Sequence, residues 1–253
     1  MPREVITIQV GQCGNQVGCR FWDLILREHA HVSKAAVFDA SLSSFFRNVD
    51  TRHSDPVDLP VGDGRSQLRT LKARSILIDM EERVIDSLLT GPLAELFDAR
   101  QRITDCSGSG NNWAHGHCLY GPMYREAIEE KVRHAAEQCD SLQCFLLLHS
   151  LGGGTGSGLG TFILETLEDS FPDVFRFVSC VCPSKDDDVI TSPYNTTLAL
   201  RSLINAAHCV LPVSNDALVG ICNQISVRDT NREVQATLTD LPQDSKYEAL
   251  YRP

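Results

Sequence analysis

The chain lacks any apolar run approaching the roughly 20 residues that a membrane-spanning helix needs. It also lacks the pattern of a secretory signal: "MPREVITIQV" carries charge and passes straight into a strand-like run, with no cleavage site behind it. None of its 10 cysteines form a Cys-x-x-Cys pair, and no framework spacing joins them. Without an export signal they are expected to be reduced thiols. Basic residues are short relative to acids, 23 against 33, leaving a net charge of −10. Non-specific binding to nucleic acid or to an anionic membrane needs basic patches, so neither is expected as a partner. An anionic ligand would have to be held by local geometry against the overall field. There is no internal repeat and no low-complexity block.

What remains is ordinary globular composition, 42% hydrophobic and 22% charged over 253 residues, enough for one large domain or two small ones. "VITIQV" (5–10) reads as a strand buried on both faces. The Gly-rich turn "GQCGNQ" (11–16) follows. Val17, Phe21, Leu24 and Ile25 then recur at helical spacing, giving a helix to about residue 29. Residues 50–68, with Pro56, Pro60, Gly62 and Gly64, read as a surface loop. "RSILID" (74–79) is a second buried strand, running into the acids of "DMEE". "DCSGSGNNW" (105–113) is a second Gly/Asn-rich loop, followed by a helix to about residue 138. "LQCFLLLHS" (142–150) and "FRFVSCVC" (175–182) are further strands, with a helix between them. A helix over 194–207, a short strand "CVLPV" and a short helix over 215–225 complete the pattern. Residues 1–225 are thus expected to form the folded domain and 226–253 a divergent, mobile tail, because the period fails there. Alternating strands and helices predict an open, mostly parallel α/β sheet with helices on both faces. In such sheets ligands sit outside the carboxyl ends of the strands, where each unusual loop falls.

The stretch that demands explanation is "SLGGGTGSG" (150–158), five glycines in nine residues. Ordered glycine costs backbone entropy, so this bare backbone must do something. Between a buried strand and a helix it can turn sharply and bring N–H groups close to an anion. The helix N-terminus adds unpaired donors and positive dipole, and Thr155 and Ser157 add hydroxyls. The reading is a phosphate cradle. It is neither a P-loop, since no window reads GxxxxGK[ST], nor a dinucleotide loop, since GxGxxG fails in every register. No Lys or Arg occurs in 11–16, 105–113 or 150–158. Phosphate charge would be met by N–H groups, side-chain amides and a metal. Asp79 and Glu81 suit Mg²⁺, which takes carboxylate together with water and phosphate oxygens.

Three other sets carry less. His115, His117 and Cys118 lack a fourth ligand for a tetrahedral metal site and read as the start of a solvated loop. Cys13 precedes a helix where a thiol pKa can be lowered, but packing or a base contact is the better reading. Asp186 and Asp187 read as a solvated acid run.

"GQCGNQ" (11–16), "GSGNNWA" (108–114), "GGGTGSGLGT" (152–161) and "SPYNTTL" (192–198) stand in the order and near the spacing of the tubulin family, which the chain resembles over roughly residues 1–222. "FWDLILREHA" (21–30), "SSFFRNVDTR" (43–52) and "DDDVITSPYN" (186–195) look most like its epsilon class. The resemblance implies a Rossmann-like domain binding GTP or GDP with Mg²⁺. It implies phosphate and base contacts at Gly11, Gln12 and Cys13, metal-side acids at Asp79 and Glu81, and phosphate and ribose contacts at Gly110 and Asn111. It implies a signature loop of Ser150, Gly152, Gly153, Gly154, Thr155, Gly156, Ser157 and Gly158, and a sugar-contacting acid at Asp188. The chain departs from the pattern at Ser192, where the family has an acid, and at Ala206 beside Asn205, where it has an asparagine.

A whole tubulin continues into a long central helix, an intermediate domain and a C-terminal helical pair. The missing part carries the loop that offers an acid to the next subunit's nucleotide. The chain therefore reads as a fragment, truncated isoform or partial product. Three functions follow. One is a GTP-binding cytoskeletal protein that associates with other tubulin subunits. The epsilon resemblance implies a place in the cytoplasm at the microtubule-organising centre, the centriole or basal body. A second is a free-standing GTPase, for which no water-orienting residue stands out. The third is a fragment that binds little nucleotide and exposes apolar sheet surface.

Overall fold

The β-branched run Val5–Ile8 makes Glu4–Val10 a strand, β1, and the chain turns at Gly11 directly into helix α1 (Gly11–Val32). The structure, a computed structural model, describes residues 3–32, 40–52, 56–61, 68–184, 187 and 189–236. After α1 come β2 (Phe46–Asp50), β3 (Val57–Leu59), β4 (Thr70–Ala73), β5 (Ser75–Asp79), α2 (Glu82–Thr90) and β6 (Arg102–Thr104). They are followed by α3 (Gly121–Glu137), β7 (Leu142–Ser150), α4 (Gly160–Ser170), β8 (Phe175–Cys182), α5 (Ser192–Ala206), β9 (Cys209–Ser214) and α6 (Asn215–Ala236).

Six strands form one sheet in the order β6-β5-β1-β7-β8-β9, with parallel pairing from β6 through to β8. This is the open α/β architecture expected. The order reverses at β1, so connections leave to both sides and helices cover both faces. Strand alternation shows it: Ile76 and Ile78 of β5 pack into one core with Ile6, Ile8, Phe145, Ile128, Ile163 and Leu203, while Leu77 packs with Trp22, Ile25, Phe46 and Ile85. On the second face Phe175 and Phe177 remain exposed and line an apolar groove of about 620 Å³ with Val5, Cys144 and Leu146.

Three local expectations change. The loop expected over 50–68 contains β3, which joins β2 and β4 in a small antiparallel sheet. These strands are short and partly exposed, so they lack the continuous apolar signal of the main sheet. The turn expected at 11–16 is already helix, because only Gly11 there adopts a positive φ. The last helix runs past residue 225 to Ala236; residues 237–253 lie outside those described. The chain divides into a unit of residues 1–213 and a second beginning at Ser214.

At the amino end of the sheet Glu4 and Arg74, 2% and 8% exposed, form a buried pair with Nη2–Oε1 at 3.5 Å. The Asp140 and Ser141 N–H groups donate to the Glu4 carboxylate at 3.1 and 2.6 Å. Arg74 also donates to the carbonyls of Ser43 at 3.1 Å and Gln138 at 2.8 Å. One ion pair thus ties the sheet to the turn ahead of β7.

Candidate functional site

The carboxyl ends of β1, β5 and β7 lie side by side, so the loops leaving them converge. Asn15, fully buried on α1, donates to the Gly11 carbonyl at 3.0 Å and to the Ile78 carbonyl at 3.1 Å, joining the start of α1 to the end of β5. Gly11 has φ +74°, and a Cβ there would stand 3.0 Å from the Gly156 nitrogen. A Cβ on Gly154 would stand 2.5 Å from the Asn112 nitrogen and from Ser109 Oγ. These glycines therefore let one loop pack backbone-to-backbone on another, a use beyond the close approach of an anion. The Ser109 and Thr155 hydroxyls meet at 2.7 Å across the same junction. Wide π-helical turns, His115–Tyr120 and Thr155–Leu159, lead from the two loops into α3 and α4.

The loops enclose a cleft of about 280 Å³. Of the residues singled out in the sequence, Gly11, Gln12, Cys13, Asp79, Glu81, Gly110, Asn111 and Ser150 line it, as do Gly153, Gly154, Thr155 and Gly156. Asn111 has φ 53°, a left-handed conformation that asparagine tolerates better than most residues. Gly152 lies behind the wall against Ser192, Ser157 is fully buried and donates to the Gly153 carbonyl, and Gly158 packs under the Trp113 carbonyl. Asp188 lies outside the described residues. Two lining residues were not singled out, Gln16 and Ser109. Gln16 stands one helical turn beyond Gln12, a spacing that puts both amides on one side of α1. Ser109 carries no comparable signal.

Among the described residues no lysine or arginine lines the cleft, and its charged lining groups are Asp79 and Glu81. Asp79 is 3% exposed; its Oδ1 accepts the Glu81 N–H at 3.3 Å and its Oδ2 has no partner. Burial pushes its carboxyl up to about 6. An orphaned buried carboxylate oxygen beside a second acid fits a divalent cation, provided other oxygens complete the shell, since two carboxylates cannot do so alone. Among the described residues no group of three or more metal-type side chains occurs. Burial pushes the Cys13 thiol up, so it stays protonated, which agrees with packing or ligand contact and not with a nucleophile.

The other candidate sets fall elsewhere. His115 stacks on Tyr120 at 4.9 Å and His117 on Trp113 at 4.3 Å, so the two rings are taken up by separate aromatic partners. All 10 cysteines are free. Among the described residues no helix is long and apolar enough to cross a membrane.

A glycine-walled cleft at the carboxyl ends of a doubly wound parallel sheet, with no cationic side chain among its described lining residues, lies where this class of α/β domain takes its ligands. The family model of the Tubulin/FtsZ family, GTPase domain, matches residues 4–223, and the chain belongs to that family. It is 58% identical over 228 residues to the tubulin epsilon chain of Mus musculus, covering 88% of this chain and 46% of that protein. It is 54% identical over 239 residues to the tubulin epsilon chain of Homo sapiens, covering 93% and 49%. Identity to the tubulin beta-1 chain of Colletotrichum graminicola is 37% over 223 residues, 88% and 48% of the two chains. The chain thus spans about half the length of these relatives.

Proposed function

We propose that the chain binds a guanine nucleotide, GTP or GDP, with Mg²⁺ in this cleft, and that it associates with other tubulin subunits. The observation that carries the reading is the convergence of three glycine-containing loops on one cleft with, among its described lining residues, no cationic side chain. The starts of α1 and of the turn into α4 supply unpaired donors and positive dipole to the phosphates. Gly110 and Asn111 would meet phosphate and ribose, and Gln12 and Cys13 phosphate and base, as the family resemblance implies. Asp79 and Glu81 would hold Mg²⁺, whose charge would screen the phosphates from the acids and from the net charge of −10. The Asp79 carboxyl, partly protonated near its pKa of about 6 when alone, would become a full carboxylate beside the cation. Association with tubulin subunits and a cytoskeletal place at the centriole or basal body follow from the epsilon resemblance.

The test is to purify the chain with and without Mg²⁺, denature it and identify the released base by chromatography. Near-stoichiometric GTP or GDP is expected, with little left in Gly154→Ala or Asp79→Ala. A chain that carries no nucleotide and takes up none at high added GTP would overturn the reading.

A further inference from the structure

Asn195 enters the cleft wall from behind, on the first turn of α5, and is 3% exposed. Its Nδ2 donates to the Asn111 carbonyl at 2.9 Å and to the Gly152 carbonyl at 2.8 Å. Its Oδ1 accepts the Trp113 N–H at 2.9 Å. Both amide protons and one acceptor position are thereby committed to backbone. Two hydroxyls stand beside it: Thr191 Oγ1 donates to the Asn111 carbonyl at 2.6 Å, and Ser192 Oγ lies 3.4 Å from the Gly152 carbonyl and 3.1 Å from Asp187 Oδ2, the nearer acceptor for its one proton. One buried side chain thus grips both the loop after β6 and the loop after β7.

The consequence follows from peptide geometry. In a planar trans peptide the carbonyl and the next N–H point opposite ways. Holding the Gly152 carbonyl toward α5 turns the Gly153 N–H away from α5, and Gly153 lines the cleft. On the other loop, the Asn112 N–H is returned to the Ser109 carbonyl at 3.1 Å, which closes that turn behind Asn111. We propose that Asn195 is a positioning residue of the cleft: it aims the Gly153 N–H at the nucleotide phosphates and locks the Asn111 loop to the signature loop. It need not touch the ligand. This rests on the nucleotide binding proposed above.

The test uses the full chain with Asn195→Asp, which keeps the acceptor for Trp113 and loses both donors, and Asn195→Ala, which loses all three bonds. Thr197→Ala is the control, since that exposed hydroxyl donates only within α5, to the Pro193 carbonyl at 2.8 Å. Two quantities are measured: the Kd for GTP and GDP with Mg²⁺, and amide hydrogen exchange of the nucleotide-free chains. Asn195→Asp is expected to weaken both nucleotides by roughly tenfold or more, since two buried carbonyls lose their amide donor and keep only the neighbouring hydroxyls. Exchange should quicken over 109–113 and 152–156 and stay at the parental rate in β1 and β7, with Thr197→Ala matching the parent throughout. A parent that binds while Asn195→Asp binds as tightly overturns the positioning role and leaves the nucleotide reading intact. Faster exchange across the whole sheet overturns it too, because Asn195 would then be a general stabiliser. A parent that binds no nucleotide overturns both, and is recognised from the parent alone.

Discussion

The two ends of the central sheet solve the same problem in opposite ways. At the amino end, full charges are buried and consumed: Glu4 takes two N–H groups and Arg74, and Arg74 takes two further carbonyls. At the carboxyl end, neutral amides and glycines hold the loops, and capacity is left over. Asp79 Oδ2 and Asn15 Oδ1 are buried without partners beside a cleft of about 280 Å³. Buried polar groups are normally satisfied; Ser75 Oγ at the amino end is unpartnered too, but the two oxygens at the carboxyl end lie beside a cleft that a ligand could fill. The amino end is a joint; the carboxyl end is a site.

The largest expected effect breaks the joint. Arg74→Leu would leave the Glu4 carboxylate buried with only its two N–H donors, and the Ser43 and Gln138 carbonyls without theirs. Removing one partner of a buried pair costs about 3–5 kcal/mol. The 3.5 Å separation of this pair places Arg74→Leu at the lower end. Urea unfolding of the nucleotide-free chain should read that loss. The double variant Glu4→Gln/Arg74→Met should lose less than the two single variants together, since no charge is then stranded. A loss within error for Arg74→Leu would mean that the joint is ornamental.

Next comes a contrast in protonation. The carboxyl end of β7 carries His149, fully buried, its ring against Gly160 and Nε2 without a partner. Burial pushes this imidazole down to about 4 from 6.5. The folded pKa lies below the unfolded one, so the unfolded chain takes up the proton first as pH falls. The stability that goes with the neutral ring is complete above about pH 6.5 and drains away down to about pH 4, by up to about 3 kcal/mol. Unfolding midpoints across that range should fall less steeply for His149→Phe than for the parent. Parallel slopes would show that the ring charges in place.

Legibility in the sequence follows the same division. β1, β5 and β7 are buried on both faces, and β8 is apolar although Phe175 and Phe177 on one of its faces are exposed, so each announces itself as an apolar run. β3 and β6, three residues each, are held by pairing with neighbours and leave no such mark. The cleft was legible where it is built of glycine and acid, types whose cost demands a reason. Ser109 and Asn195 were not singled out, because what they bind is hydroxyl or backbone at distant positions, and a backbone carbonyl has no letter in the sequence. The purpose of the glycines was legible only in half. Their closeness to one another's loops depends on the register of three strands and cannot be read from the loop itself.

The smallest expected change in stability tests that half directly. Gly11→Ala forces an L residue to φ +74° and puts a Cβ 3.0 Å from the Gly156 nitrogen and 3.7 Å from Thr155 Cβ. The left-handed conformation alone costs about 1–2 kcal/mol. If Gly11 served only the approach of an anion, the nucleotide-free chain would pay that conformational cost and no more, and the loop after β7 would be undisturbed. If it serves loop packing, the signature loop must shift to admit the methyl group. Exchange at 153–157 should then quicken before any ligand is added, and bound nucleotide should fall with it. Amide exchange on the nucleotide-free variant separates the two. Quickening confined to residues 10–13 would return the glycine to the anion alone, and quickening at both loops would show that the cleft is shaped by its own walls before the ligand arrives.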